Sequence, residues 1–377
     1  MAEPAKASLA DLAVLFLRLG LTAFGGPAAH IAMMEDEVVT RRRWVTHERF
    51  LDMLGAANLI PGPSSSELAV FIGYDQAGLG GLLVAGVCFV LPAALMTAGI
   101  AWAYVRFGAL PRVGSVFSGI KPVIIAIVAQ ALWALGPKAL KRSRLLATIG
   151  IAACVAAALN LNPVFVLLGA GTLAVTTNAA AKRSAATGGL SAVAAGAIAA
   201  PAAGTVSLGL LFLTFLKLGA IVFGSGYVLL AFLRADLVER LHWMTESQLI
   251  DAVAVGQVTP GPVFTTATFV GYVLAGGLGA VLATVGIFLP GFMMIGAIKP
   301  IVARVRQSIR ASAFLDGVNV ASLALMAVVT VQLGRAAITD ALTAGLAVLG
   351  FVALMRFKLN SAWLILAGAL VGFVAGR

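Results

Sequence analysis

The sequence predicts an all-α polytopic membrane protein, built as an inverted tandem repeat of two five-helix halves that each contain a re-entrant hairpin broken at Pro-Gly-Pro. Three observations predict this fold class: an apolar composition, an internal duplication and the placement of the positive charges. Of the 377 residues, 61% are hydrophobic and 11% are charged, whereas soluble domains carry about 25% charged residues. The composition therefore places most of the chain in a lipid bilayer.

The net charge of +11 does not indicate a nucleic-acid partner. The basic residues stand in short clusters between apolar segments, as the positive-inside rule expects of cytoplasmic loops. Cys88 and Cys154 lie in apolar segments and predict neither a disulfide framework nor a metal site. No signal-peptide pattern precedes the first apolar segment, which we expect to be a retained span. No cofactor is implied.

An internal duplication covers most of the chain. The run "FLRLGLTAFGG" at Phe16 recurs as "FLKLGAIVFGS" at Phe215, and the motif Pro61-Gly62-Pro63 recurs as Pro260-Gly261-Pro262. Matched residues are 199 positions apart up to this motif and 198 apart beyond it. The sequence therefore predicts an N-terminal repeat over residues 1–178, a small-residue linker over 179–206 and a C-terminal repeat over 207–377.

The positive charges decide how each half crosses the membrane. If the Pro-Gly-Pro regions enter the bilayer and return, each half has five crossings, and this odd number inverts the second half. The basic clusters then share the cytoplasmic face and both termini lie outside. Inverted repeats with broken helices near the midplane recur in secondary transporters. The expected crossings lie near 9–33, 78–105, 115–137, 145–159 and 163–177, then near 207–232, 279–298, 312–334, 338–355 and 360–376.

The Pro-Gly-Pro motifs predict an anion site at the tip of each hairpin. Thr46 and Thr245 are expected to cap a helix that ends at the first proline of the motif. The second proline suits the start of a new helix, whose free N–H groups carry about +0.5 charge and bind oxyanions. Donor groups surround both breaks: Asn58, Gly62, Ser64, Ser65 and Ser66 in the first half, and Gln257, Gly261, Thr265 and Thr266 in the second. The alternative is a structural kink whose hydroxyls only cap the backbone.

Three basic residues lie within apolar segments. Arg18 and Lys217 match across the repeat, and Lys121 has Asn319 as its counterpart. An intramembrane cation is by default a functional hypothesis, so these residues are candidates for attracting an anion toward the hairpin tips. The alternative for Arg18 is that its side chain extends to the membrane interface.

Glu67 is the acidic residue nearest to a predicted tip. A carboxylate beside an anion would repel it unless protonated, which suits a proton-coupled step because burial favours the neutral form of a carboxyl. The alternative is that Glu67 pairs with Arg18 or another cation. Asp52 and Asp251 match and are expected to be structural, whereas His30 is either a gate or a solvated edge.

A glycine-rich pair lies within the first predicted helix of each half. It comprises Gly25 and Gly26 in one repeat and Gly224 and Ser225 in the other. These residues either line the pathway as a gate or allow close helix packing.

These motifs together resemble the chromate ion transporter family in its long two-domain form. The resemblance rests on "FGGP" at Phe24, on "NLIPGPSSSELAVFIGY" at Asn58 and on its second copy "GQVTPGPVFTTATFVGY" at Gly256. It implies a multi-pass carrier of the bacterial inner membrane that exports chromate, confers chromate resistance and uses the proton-motive force. The expected partners are a chromate or sulfate-like oxyanion and membrane lipid, with a homodimer left open.

Other functions remain open at this point. Chromate and sulfate are both tetrahedral dianions, so the same donors suit a sulfate transporter. A channel or lipid scramblase could also use re-entrant hairpins. An enzyme is disfavoured, because the sequence has no paired acid and base and no metal-ligand spacing.

Overall fold

The computed structural model describes residues 6–24, 26–108, 110–141, 143–182, 206–223, 228–306, 308–357, 359 and 361–375, and within these ranges it is helical without strands. The first half contains α1 (Leu9–Thr22), α2 (Gly26–Glu35), a π-helix (Asp36–Arg41), α3 (His47–Ala57), α4 (Ser64–Phe107), α5 (Pro111–Leu140), α6 (Arg144–Ala158) and α7 (Pro163–Lys182). The second half contains α8 (Leu208–Ile221), α9 (Leu229–Leu233), a π-helix (Arg234–Arg240), α10 (Glu246–Val258), a 3₁₀ turn (Val263–Thr265), α11 (Thr266–Arg306), α12 (Ile309–Ala337), α13 (Ala341–Phe357) and α14 (Ser361–Ala375).

The outer surface of this bundle is apolar. Leu95, Trp133 and Val374 are 64%, 66% and 82% exposed, which suits lipid and not water. Four helices in the described part of the chain are long and apolar enough to cross a membrane: Ser64–Phe107, Gly114–Leu140, Val263–Ala297 and Arg310–Ala337. The prediction of an all-α polytopic membrane protein is confirmed.

The longest helix of each half is a pair of segments joined by a sharp turn. In α4 the backbone is non-helical at Ala77 and Gly78, and Gly78 has φ 60°. The backbones of Gly73 and Gly81 contact each other across this turn, which a straight helix would not allow because the two residues would lie more than two turns apart. The chain therefore reverses, and α11 does the same at Ala275 and Gly276.

The first predicted span of each half is also broken. The continuous helix expected over 9–33 is wrong, because α1 ends at Thr22 and a new helix begins at Gly26. Arg18 of α1 forms an ion pair with Glu37, with 2.5 Å between Nη2 and Oε1, so α2 must run back beside α1. The first expected crossing of this half is therefore replaced by two shorter helices.

The return of α2 also corrects the expected position of the N-terminus. The Ala7 N–H donates to the side chain of Gln76 at 3.1 Å, and the Gln76 amide donates to the Trp44 carbonyl at 3.4 Å. The start of α1 therefore shares a face with the basic cluster beside Trp44. The expectation that both termini lie on the face opposite that cluster fails for the N-terminus.

The two halves are interlocked through their last helices. Gly119 of α5 packs on the backbones of Gly368 and Gly372 in α14, and Gly317 of α12 packs on the backbone of Ala170 in α7. Each closing helix thus packs against the other half. The predicted linker over 179–206 lies mostly outside the described residues.

Candidate functional site

Polar caps start the helices that lead to the two Pro-Gly-Pro tips. The Thr46 hydroxyl accepts from the Arg49 N–H and starts α3. Thr245 and Gln248 form a complete capping box at the start of α10. The helices end at Ala57 and Val258, just before the motifs, because proline cannot continue them. These predicted boundaries are confirmed.

At each tip the glycine of the motif is bonded to the other half. Gly62 and Gly261 have φ 127° and 90°, which only glycine adopts without strain. The Gly62 N–H donates to the Val222 carbonyl at 2.8 Å, and the Gly261 N–H donates to the Ala23 carbonyl at 2.9 Å. Since both acceptors are helix C-caps of the opposite half, these two N–H groups are engaged, contrary to the expectation that they are bare.

The first tip carries a group of buried polar side chains. Ser65 and Ser66 are 1% and 2% exposed. The Ser65 hydroxyl lies 3.3 Å from Nδ1 of His30, whereas the Ser66 hydroxyl is buried without a hydrogen-bond partner. Ser64 opens α4 and is half-buried. Asn58 is exposed at the C-cap of α3 and lies apart from this group.

Glu67 lies at the same tip, in the seam between the halves. Its side chain is 4% exposed, its Oε1 contacts Gly62 and Gly291, and its Oε2 is buried without a partner. The alternative that Glu67 pairs with Arg18 is wrong, because Arg18 is bonded to Glu37. Within the described residues no cation lies within ion-pair distance of Glu67.

The second tip is chemically different. The Thr265 and Thr266 hydroxyls donate to the carbonyls of Pro262 and Val263, each at 2.8 Å. Their protons therefore cap the backbone, as the alternative reading expected. Gln257 and Thr266 line a cavity of about 10 Å³ whose other walls are Val128, Leu229, Leu230, Leu233, Val253 and Val263.

The matched cations Arg18 and Lys217 are neutralised away from the tips. Arg18 pairs with Glu37, and Lys217 pairs with the matched residue Asp236. Burial works to raise the pKa of Glu37, but the hydrogen bond and charge of Arg18, with further arginines nearby, hold that pKa below its ordinary value. These pairs fasten each first helix to the π-helix of its own half.

Lys121 is likewise paired. Its Nζ lies 3.4 Å from Asp251 and donates to Ser247 at 2.5 Å. The Tyr104 hydroxyl donates to the same carboxylate at 3.0 Å. Lys121 thus contacts the first turns of α10, and the structural role expected of Asp251 is supported by these partners. Within the described residues no three metal-ligating side chains are grouped closely enough to hold an ion.

Of the glycine-rich pair, only Gly26 is among the described residues. It has φ 78°, and a Cβ there would meet nothing within 4 Å. The turn into α2, and not close helix packing, therefore explains why a glycine occupies this position. Gly25, Gly224 and Ser225 lie outside the described residues.

His30, which the sequence suggested only as a gate or a solvated edge, was not predicted to lie at the first tip. It is 1% exposed, so the reading of a solvated edge is wrong. The available signal was its position: the second half has Leu229 at the matching place, and an unmatched polar residue beside a duplicated motif marks a difference between the repeats.

The fold and site define a multi-pass membrane protein with buried polar groups where its two halves meet. The model of the chromate transporter family matches residues 10–175 and again 209–373. The chain belongs to the chromate transporter family, whose members are transporters.

Curated relatives agree with this assignment. The chain is 36% identical over 375 residues to a chromate transport protein of Cupriavidus metallidurans, which covers 98% of this chain and 93% of that protein. It is 34% identical over 393 residues to a chromate transport protein of Pseudomonas aeruginosa, with 99% and 94% coverage. A probable chromate transport protein of Synechococcus elongatus is 32% identical over 375 residues, with 97% and 95% coverage. No solved structure matches the chain.

Proposed function

We propose that this protein exports chromate across the bacterial inner membrane, uses the proton-motive force and confers chromate resistance. The names of the relatives supply chromate as the substrate. The observation that carries a binding site is the first tip, where the Ser66 hydroxyl and Glu67 Oε2 are buried without partners. Unsatisfied polar groups are costly in a protein interior, so their presence there favours a ligand that completes them.

We further propose that the two halves are inverted repeats with re-entrant hairpins. Arg49 near the start of α3 contacts Asp75 just before the reversal of α4, with 2.6 Å between Nη2 and Oδ1. This contact supports a hairpin that returns to the face from which it enters. Lys141 after α5 pairs with Asp316 of α12 at 2.6 Å, as expected if these ends share the basic face.

An open cavity of about 230 Å³ lies at the face opposite the basic face. The loop after α6, the second π-helix and the end of α12 all line it, with Asn160, Arg240 and Gln332 among its walls. The first π-helix leads into α3 beside the basic cluster at Arg41, whereas the second π-helix, which leads into α10, lies at this cavity. The cavity therefore supports hairpins that enter from opposite faces in the two halves.

Glu67 is the proton-coupling residue in this proposal. A dianion beside an ionised Glu67 would be repelled, so the anion binds at the first tip together with the proton of the neutral carboxyl. A dianion that moves with this one proton keeps a net negative charge, so the membrane potential is the part of the proton-motive force that drives its export. Ser64, Ser65 and Ser66 then supply donors from the first turn of α4, together with its N-terminal dipole. Arg18, Lys217 and Lys121 act through the ion pairs that hold the hairpins, and not by touching the anion.

Flux through purified protein in liposomes tests the function. We expect saturable chromate transport that a proton gradient alters and that sulfate inhibits. Glu67→Gln should abolish the effect of the gradient while the protein still inserts. Sulfate transport with no chromate transport would favour the sulfate alternative, unsaturable flux would indicate a channel, and no movement of either anion would refute the proposal.

A further inference from the structure

His30 connects the first tip to the break between α1 and α2. Its Nε2 lies 3.0 Å from the Ala23 carbonyl, the same carbonyl that accepts the Gly261 N–H of the second half. Its Nδ1 lies 3.3 Å from the Ser65 hydroxyl, and Phe89 packs edge-on to the ring at 5.8 Å between centroids. The imidazole thus joins three segments that meet at the centre of the molecule.

The chemistry of these partners fixes the direction of both hydrogen bonds. A carbonyl oxygen only accepts, so Nε2 carries the proton of the neutral imidazole and Nδ1 accepts. The Ser65 hydroxyl must then donate to Nδ1. In this state its single proton points at His30, and Ser65 has no proton left for an anion.

We propose that His30 is a positioning residue of the anion site, whose protonation decides whether Ser65 can donate to a bound oxyanion. This proposal rests on the transport function proposed above. When Nδ1 takes a proton from water, it donates to Ser65 Oγ, and the hydroxyl proton turns to the anion. Proton uptake and anion binding at the first tip then favour each other.

The neighbouring ionisable groups do not provide the same control. Glu67 follows Ser65 by two residues on α4 and faces Gly62 and Gly291. On the elements beside α2, Arg18 and Glu37 are bonded to each other. Cys88 precedes Phe89, and from the second half the contact is the uncharged Gly261 backbone. Among the described residues, only His30 has a titratable atom that is hydrogen-bonded to a serine of this tip.

The action of a histidine on a serine hydroxyl at the tip is confined to the first half. At the position that matches His30, the second half has Leu229. Ser65 lies where the offset changes from 199 to 198, so its counterpart is Phe264 or Val263, and neither has a hydroxyl. All three are buried hydrophobic residues. The duplicated tips are therefore unequal, and a single proton-controlled donor serves the transporter.

A double-mutant cycle tests this coupling. His30→Leu introduces the residue of the matching position, Ser65→Ala removes the hydroxyl, and Leu229→Met is the control in the second half. The probe is sulfate, which stays a dianion across the pH range, in initial-rate measurements between pH 5 and pH 8. We expect Ser65→Ala to raise KM for sulfate at low pH by about tenfold, the factor that roughly 1.4 kcal/mol represents, with Vmax retained. His30→Leu removes the acceptor of the Ser65 proton, so it should lower KM at high pH to the value that the unchanged protein has at low pH.

The combined variant decides between coupling and a structural role. If His30 acts through Ser65, the double variant has the KM of Ser65→Ala, and all three variants lose the same part of the pH dependence. His30→Gln, which cannot titrate, should also lose that pH dependence and keep the melting temperature. Additive effects, or a wild-type pH profile in His30→Leu, would overturn the inference. A wild-type protein that moves neither sulfate nor chromate would refute the transport function instead.

Discussion

Two matched residues explain how a carboxyl fits between the halves. Gly261 of the second tip faces the Cβ of Ala93, and the position that matches Ala93 is Gly291. Because Gly291 has no Cβ, the Glu67 carboxyl fills the space over Gly62 instead.

The caps and proline breaks around this site were predictable from sequence, since they depend on neighbouring residues. The pairing of Arg18 with Glu37 was not, because it requires a chain reversal that a continuous apolar run conceals.

Filling the space at Gly291 should displace Glu67. A Cβ at this position would lie 2.7 Å from Glu67 Oε1, so Gly291→Ala should lower the chromate transport rate by about tenfold, equivalent to roughly 1.4 kcal/mol. Gly296→Ala in the same helix is the control, since its Cβ would meet only Leu79 and Leu82 at 3.7 and 3.8 Å. Equal rates for the two variants would show that the Glu67 position is unimportant.

At the scale of elements, the functional groups lie beside helix breaks, on α2 and in the first turn of α4. The Pro-Gly-Pro break was predictable, because two prolines around a glycine interrupt a helix in any context. The break after α1 was not, since a glycine-rich run within a span also suits helix packing, and only the returning contacts of α2 distinguish the two readings. The turns in α4 and α11 bring each half-helix back along the next segment.

The close approach of Gly73 and Gly81 is expected to be essential for this reversal. A Cβ at Gly81 would collide with the Gly73 backbone, so Gly81→Ala should destabilise the protein by about 3 kcal/mol, as overpacking does. Gly99→Ala in α4 meets nothing within 4 Å and should be neutral or stabilising by about 1 kcal/mol. Thermal unfolding of the purified protein measures both, and a tolerated Gly81→Ala would contradict the tight reversal.

At the scale of the whole molecule, the repeats are interlocked and not side by side. Hydropathy and charge predicted a multi-pass chain and its basic clusters, because those properties follow from residue type. The exchange of α7 and α14 between halves depends on long-range packing, which a hydropathy pattern does not contain.

The membrane potential also acts on the whole molecule. Moving one charge through 100 mV is worth about 2.3 kcal/mol, so a potential that is negative in the cytoplasm favours outward movement of a dianion.

Matched single cysteines test the opposite orientation of the hairpins. Glu48 and Ser247 occupy equivalent, exposed positions at the starts of α3 and α10. In a background without Cys88 and Cys154, an impermeant thiol reagent should label Glu48→Cys only from the cytoplasmic side and Ser247→Cys only from the outside. Labelling of both from one side would contradict the inverted arrangement.

The reciprocal bonds from Gly62 to Val222 and from Gly261 to Ala23 bear on how such a chain can arise. Each half leaves a carbonyl and an N–H that only the other half satisfies, so one repeat alone is incomplete at its centre. A single-repeat ancestor would have needed a second copy of itself to close these bonds. Gene fusion then turns an association between separate chains into a permanent contact within one, and allows one copy to carry His30 and Glu67 while the other carries different residues.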